Sequence, residues 1–547
     1  MDYFSKPFNI CLLRNHILKD PIIDWFNINE SLNTKYKRDN NTFYKDFILK
    51  EWEEYKLNFF KILKQKANKK IPINTSIEKT KEMIKEKQPL IIGANLLYGD
   101  MVVCCDIIVD INLFIKIFPK IKNYPLHLIK NKYILINLSY STLNFKNDLK
   151  ECLNEGVLPY KKCVLYGFSQ CIGGILGYTP HSFIMGKEYY YKKTQLPKDE
   201  FISFVKYDEN VISKLGEAYQ WICLLREHFN NLEIKEKPTH KELYPNMNNK
   251  ESGWENEKLK IANKIKEITL VWNITYDERC KLHKKNIYCW DDPKLLTELK
   301  ESKKKNIQEQ MIHMNKNDEI LIYPRKNISM PLREILQEKE TNNIFFDVES
   351  FLSIDEKVDF FNKKDERYNN PILAILGFFY KGKFYDYTIQ KYSIDQEKKI
   401  VQQFADKLWS IYNNYGRINI FHWGHAECKY MEYIHKIHTT ISFPEYILVD
   451  LLDHFRLEPI IVQGVFQFGL KSIGKALHNN GLIKTTWDNS NDNGLDAMIK
   501  FKEICKKNKG RNIPLKRYLE IKEIVYYNQV DCKVLQEIYF LLKKNYD

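Results

Sequence analysis

The stretch Ile344-Phe345-Phe346-Asp347-Val348-Glu349 decides how the second half of this chain is read. Three bulky apolar residues lead into two carboxylates one residue apart. In a β-strand, side chains at i and i+2 share a face, so Asp347 and Glu349 would stand side by side. Phe346 and Val348 would point the other way, into a core. Two anions held that close repel each other and call for a cation, so the pattern predicts a divalent metal site on a strand.

The residues that follow can complete such a site. Ile372 to Tyr380 and Phe384 to Ile389 read as a hairpin across Lys381-Gly382. Ser393-x-x-Gln396 opens a helix with Ile400, Phe404 and Leu408 along one face. Ile418 to His422 is a short strand, followed by a helix from about His425, and Ile447 to Leu451 is another strand. Asp488 to Gly494 reads as a polar loop and Val525 to Lys543 as a final helix. On that helix Tyr527 and Asp531 are four residues apart and project together. Asp531 lies among Val530, Val534 and Ile538, where an unpaired carboxylate is costly and a metal would remove the cost. Glu427 falls where the Ile418 strand gives way to a helix, a place where α/β proteins collect active groups. Asp450 is a reserve candidate. His422 and His425 are polar neighbours with no assigned role.

Taken in order, these segments resemble the YprB-type branch of the DnaQ-like (DEDD) exonucleases, which have a ribonuclease H-like fold. Phe421-His422-Trp423-Gly424-His425-Ala426-Glu427 resembles the branch's HYG-x-x-E element. Leu448-Val449-Asp450-Leu451-Leu452 and Gly469 to Leu477 resemble its DLL and SLKxIxxxLG segments, and Tyr527-Asn528-x-x-Asp531-Cys532 its YN-x-x-DC ending. The resemblance implies that Asp347, Glu349, Glu427 and Asp531 bind two Mg²⁺ or Mn²⁺ ions that drive phosphodiester hydrolysis. It further implies that Tyr527 orients the attacking water. One departure stands out: Cys428 is at the commonest place of the second-motif acid, and Glu427 is one residue earlier.

The first 200 residues show a long helix over about 40 to 69, then strands at Pro89 to Ile92, Met101 to Val109 and Tyr133 to Leu138. A helix from about Lys161 to Leu176 and a strand from His181 to Met185 follow. This order resembles the RecB-like PD-(D/E)xK nuclease fold, with Asp106 at the place of the family's first acid. Asn137 and Ser139 stand where the E-x-K pair would be, and neither can hold a cation or supply an ammonium. Tyr166 is kept from the family's Gln-x-x-x-Tyr helix, but Lys162 replaces the Gln. The expectation is a PD-(D/E)xK fold without catalysis.

Residues 201 to 340 read as a charged helical connector, with Ile268 to Asp292 shaped as two short helices and a turn. The latter resembles a helical-hairpin segment of the same fused family. Trp254, Trp272 and Trp290 are expected to pack in cores, and the basic run Lys506 to Arg517 could meet a phosphate backbone.

Composition sets the outer bounds. At 547 residues the chain exceeds a single core, and 44% hydrophobic residues suffice for several. The net charge of +15 suits a polyanionic partner. Twelve cysteines without a C-x-x-C pair argue against a zinc module or a secreted disulfide framework. No run approaches the about 20 apolar residues of a membrane span. The expectation is a soluble, intracellular α/β multidomain protein with no membrane partner. Its parts would be a PD-(D/E)xK-like domain over 1–200, a connector over 201–340, and a ribonuclease H-like mixed sheet with flanking helices over 341–547. The expected activity is that of a metal-dependent nuclease, foremost a 3′→5′ exonuclease on DNA rather than RNA. A catalytically inactive nucleic-acid-binding scaffold and a structure-selective endonuclease are the alternatives.

Overall fold

The computed structural model describes every residue except 1–2, 33, 40–42, 68–70, 74–75, 130–131, 236, 251–252, 317–319, 325–327, 339, 352–371, 488–493, 509, 512 and 547. It divides into two units, one built on Met1–Ile265 and the other on Lys266–Glu356 and Lys364–Asp547. Both are α/β, with mixed sheets and many helices.

In the first unit, segments of nine to twelve residues, each with a buried apolar stretch, give the long strands of a seven-stranded sheet. Its strands are β1 (Phe8–Asn9), β2 (Leu90–Tyr98), β3 (Met101–Asp110), β4 (Tyr133–Asn144), β5 (His181–Tyr191), β6 (Thr194–Leu196) and β7 (Ser203–Phe204). The order is β1-β3-β4-β5-β6, with β2 also on β3 and β7 on β5. β3 and β4 are antiparallel, β4 and β5 parallel. The Phe43–Ala67 helix adds Tyr55, Phe59 and Leu63 to a core with Ile107, Ile136 and Phe183. A second helix, Leu158–Leu176, starts a few residues before the expected Lys161 because Pro159 suits a first helical turn. It ends where Gly177 takes φ +72°, a value that L residues resist.

The second unit holds β8 (Ile322–Tyr323), β9 (Asn343–Phe351), β10 (Ile372–Tyr380), β11 (Lys383–Thr388), β12 (Ile418–His422), β13 (Tyr446–Asp450) and β14 (Ile461–Val462). β8 pairs with β14, and the other five form one sheet in the order β11-β10-β9-β12-β13. The first three of these are antiparallel; β9, β12 and β13 run parallel. Lys381 and Gly382 both take positive φ, the geometry a two-residue hairpin demands. Side chains of β9 alternate between two cores. Phe346 and Val348 join Phe404 and Leu408 on one face, while Phe345 meets Phe421 and Tyr539 of the Leu519–Tyr546 helix on the other.

The 201–340 segment is shared between the units. The Glu209–His228 helix packs on Leu158–Leu176, and Trp221 Nε1 donates to Asp24 Oδ2 at 3.0 Å, so its start belongs to the first unit. Ile307, Met311, Leu332 and Leu336 are buried in a core of the second. The apolar faces of these helices, not their charged faces, decide where they lie. Of the two short helices expected in Ile268 to Asp292, the first is a single turn, Ile268–Leu270, and Asn273 with φ +64° breaks the chain before Tyr276. The second, Tyr276–Lys284, is held by a reciprocal capping box of Thr275 and Glu278. Trp254 is fully buried against Phe26, Trp290 packs on Phe466, and Trp272 is half-buried with its edge to Phe468. Among the described residues, no helix is long and apolar enough to cross a membrane. The expected 488–494 loop lies outside the described residues up to 493.

Candidate metal centre

Strand β9 aims Asp347 and Glu349 at the face covered by the C-terminal helix Leu519–Tyr546, whose Asp531 meets them. One oxygen from each of these three carboxylates lies within 4.8 Å of the others. All three are largely withdrawn from water, Asp531 being 8% and Glu349 9% exposed. Glu427, in the first turn of the Ala426–Ile437 helix, is 6% exposed and stands beyond that trio, yet close enough to feel Asp347 and Asp531. Its Oε2 is buried without a hydrogen-bond partner.

The electrostatics of the cluster follow from burial first and mutual repulsion second. Burial pushes Asp347 up to about 6, against a hydrogen bond from Asn528 that favours its charge. Burial, and then Asp347, Asp531 and Glu427, drive Glu349 well above the carboxylate range. Asp531 is raised by burial and by Asp347, and Glu427 reaches about 9 for the same two kinds of reason. Several carboxyls that resist ionisation at neutral pH form an expensive arrangement in the absence of a cation. An all-oxygen set with one orphaned buried acceptor is the chemistry that suits Mg²⁺ or Mn²⁺.

Side chains outside the acid set fix its geometry. Asn528 Nδ2 donates to Asp347 Oδ2 at 2.7 Å, and Trp487 Nε1 donates to Asp531 Oδ1 at 2.5 Å. Both supports depend on missing Cβ atoms. A Cβ at Gly377, which pairs with Asp347 across the sheet, would stand 1.6 Å from Asn528 Oδ1. One at Gly474 would stand 2.8 Å from both Trp487 and Val534. Asn528, Trp487, Gly377 and Gly474 were not candidates on sequence. Asn528 and Gly474 lie inside the quoted motifs, but nothing about Gly377 or Trp487 marks them before the fold is known.

The remaining candidates fall into place around this cluster. Tyr527 is half-buried beside Asp531, and burial followed by the Asp531 charge raises its hydroxyl far above the usual phenol range. It therefore stays a proton donor. His422 is fully buried; its Nδ1–H donates to the Gly424 carbonyl at 2.8 Å, and Nε2 faces Cys428 Sγ at 3.6 Å. Burial lowers its pKa and keeps it neutral. Asp450 does not join the cluster: its Oδ1 accepts from Gly424 N at 2.8 Å and Leu452 N at 2.9 Å, capping a helix and holding a loop in which Gly424 has φ +102°. In the basic run 506–517, Lys516 is paired with Asp386 at 2.5 Å.

Among the described residues, the first unit offers no counterpart. Asp106 Oδ2 accepts from Leu138 N at 2.8 Å, and Asn137 Oδ1 accepts from Asp106 N at 3.0 Å. Ser139 hydrogen-bonds Ser141 at 2.7 Å. Lys162 is buried and reaches Asn154 Oδ1 at 2.6 Å, while Tyr166 packs edge-on against Tyr207. No family model, curated protein or solved structure matches the chain.

Proposed function

We propose that the chain is a metal-dependent nuclease whose chemistry resides in the second unit, and foremost a 3′→5′ exonuclease on DNA. The observation that carries this reading is the meeting of Asp347, Glu349 and Asp531 from distant parts of the sequence within 4.8 Å. The strand order β11-β10-β9-β12-β13, with the acids on the central strand, supports the ribonuclease H-like resemblance. Polarity, exonuclease mode and the preference for DNA rest on that resemblance alone.

Asp347, Glu349 and Asp531, with Glu427 beside them, would hold the ions. Bound divalent cations supply the charge that makes a water nucleophilic and stabilises a leaving oxygen. The chain's own part is positional. Asn528 holds one oxygen of Asp347 by a hydrogen bond, and Trp487 holds one oxygen of Asp531, so each carboxylate is kept in a fixed orientation. Tyr527, protonated throughout the working range, can donate to a water or a phosphate oxygen but cannot act as a base. His422 has both ring nitrogens engaged, Nδ1 with the Gly424 carbonyl and Nε2 with Cys428 Sγ, and is assigned no role as a base.

For the first unit we propose a PD-(D/E)xK-like fold that performs no hydrolysis, because Asp106 accepts from a backbone amide and Asn137 and Ser139 stand where an acid and a lysine would be needed. The experiment that tests the whole reading is a labelled-oligonucleotide assay with Mn²⁺. Cleavage should appear in the wild type, vanish in Asp347→Ala and Asp531→Ala, and persist in Asp106→Ala. Activity that persists in the first two and vanishes in the third would overturn it.

A further inference from the structure

The hairpin of β10 and β11, with the helix beside it, Ile394–Tyr415, carries a surface that the acid cluster does not use. Lys381 and Lys383 flank Gly382 at the hairpin tip, and Lys407 comes from the helix. These three ammoniums converge on three tyrosine rings. Lys381 Nζ lies 3.9 Å from the centre of the Tyr415 ring and 5.4 Å from that of Tyr380. Lys407 Nζ lies 5.3 Å from the Tyr380 centre and 4.6 Å from that of Tyr385, and Lys383 Nζ lies 5.3 Å from Tyr385. Two of the rings are anchored. Tyr380 donates to the Thr341 carbonyl at 3.2 Å, and Tyr385 stacks on the buried Phe378 at 5.2 Å. The third, Tyr415, is 45% exposed.

The charge on this surface is unbalanced. Among the described residues, none of the three lysines forms an ion pair. Of the acids next to this group in sequence, Asp386 is held by Lys516 and Thr388, and Asp406 accepts from Gln402 at 2.8 Å. Three cations gathered on shared rings repel one another, and cation–π contacts at exposed sites offset that only in part. A polyanion relieves the repulsion, and rings that already restrict the lysines lower the entropy lost on binding one. An exposed tyrosine among them adds a flat face for a base, which a single strand has and an acidic peptide lacks. The surface is separate from the acid centre, because β10 presents Phe378 and Tyr380 to the core of Phe346 and Phe404, opposite Asp347 and Glu349. We propose that this surface binds single-stranded nucleic acid, with the three ammoniums on phosphates and Tyr415 on a base. The inference goes beyond the nuclease reading and does not depend on it, since no metal takes part.

The test is fluorescence anisotropy of a labelled oligothymidylate of about 15 nucleotides with the full-length protein in EDTA, which removes any metal-held contact. The triple variant Lys381→Gln/Lys383→Gln/Lys407→Gln should bind about 10- to 100-fold more weakly. Its slope of log affinity against log salt should shrink by about 2, the value for three phosphate contacts on a single strand. Tyr415→Leu should weaken binding by about 5-fold or more. A control with three exposed lysines of the first unit replaced, Lys81→Gln/Lys85→Gln/Lys193→Gln, has the same net charge as the triple variant and should bind like wild type. Three results would each overturn the proposal: wild-type affinity in the Lys381, Lys383 and Lys407 variant, an equal loss in the control, or displacement of the strand by an equally charged glutamate peptide. Absence of Mn²⁺-dependent cleavage is a different result, which overturns the nuclease reading and leaves the expected binding unchanged.

Discussion

Two strand pairs, β9 with its neighbours and β3 with β4, place carboxylates on mixed sheets, and they end in opposite states. On β3, Asp106 Oδ2 accepts from the Leu138 backbone N–H, while the Asp106 backbone N–H donates to Asn137 Oδ1. Among the described residues, no other His, Cys, Asp or Glu joins it in a group that could hold a metal ion. On β9, Asp347 and Glu349 meet Asp531 in a space largely closed to water, and Glu427 Oε2 beside them has no hydrogen-bond partner. The lesson is that a strand acid signals chemistry only when its surroundings leave its charge unpaid.

The largest expected effect breaks this contrast outright. Asp347→Asn or Asp531→Asn should reduce Mn²⁺-dependent cleavage on the order of 10³- to 10⁴-fold, while Asp106→Asn stays within about twofold, read in single-turnover assays. The metal-free protein offers a second handle through pH. Asp347 and Glu427 have folded pKa values of about 6 and about 9, above their ordinary values, so the folded state holds protons that the unfolded state releases. Their contribution to stability is therefore fully present below about pH 4 and is lost as pH rises through 6 and toward 9. Thermal melts in EDTA should show the second unit falling over that window, and Mn²⁺ should restore it. Mn²⁺ affinity should rise over the same window, because binding displaces those protons. A flat melting temperature from pH 5 to 9 in EDTA would count against the acid cluster.

Smaller effects sharpen the contrast. Asn528→Ala should weaken Mn²⁺ binding about 10- to 100-fold by freeing Asp347, with little change in Asp106-dependent properties. Gly377→Ala should cost about 1–3 kcal/mol in denaturant unfolding, because its Cβ would overlap Asn528 Oδ1, and the double variant with Asn528→Ala should recover much of that loss. In the first unit, Asn137→Asp should cost about 1 kcal/mol at pH 7 by placing a second buried charge beside Asp106, and less at pH 5. If that variant instead gained tight Mn²⁺ binding, the first unit would be a metal site one substitution away from working.

Much of this was legible in the sequence where the pattern has a local cause. The period-two alternation of 344–349 gave the two faces of β9, and Phe346 and Val348 do enter the core opposite the acids. Lys381-Gly382 gave the hairpin, and the i, i+4 spacing gave the shared face of Tyr527 and Asp531. Asp450 looked like a reserve ligand because a strand-end Asp can be either a ligand or a cap, and only its donors, Gly424 and Leu452, distinguish the two. The supports Trp487 and Gly377 were illegible because each acts through a residue 44 and 151 positions away (531 − 487; 528 − 377), and no local pattern encodes such a contact. The charged connector misled for a similar reason: its sequence shows the solvated faces, while a few buried residues such as Leu332 and Leu336 decide which unit holds it.

The most direct test of the acid cluster is calorimetric titration of the full-length protein with Mn²⁺ at pH 8. The account predicts saturable binding of up to two ions, lost in Asp347→Asn and Asp531→Asn and kept in Asp106→Asn. Absence of saturable binding in the wild type, or binding indifferent to the first two substitutions, would contradict it.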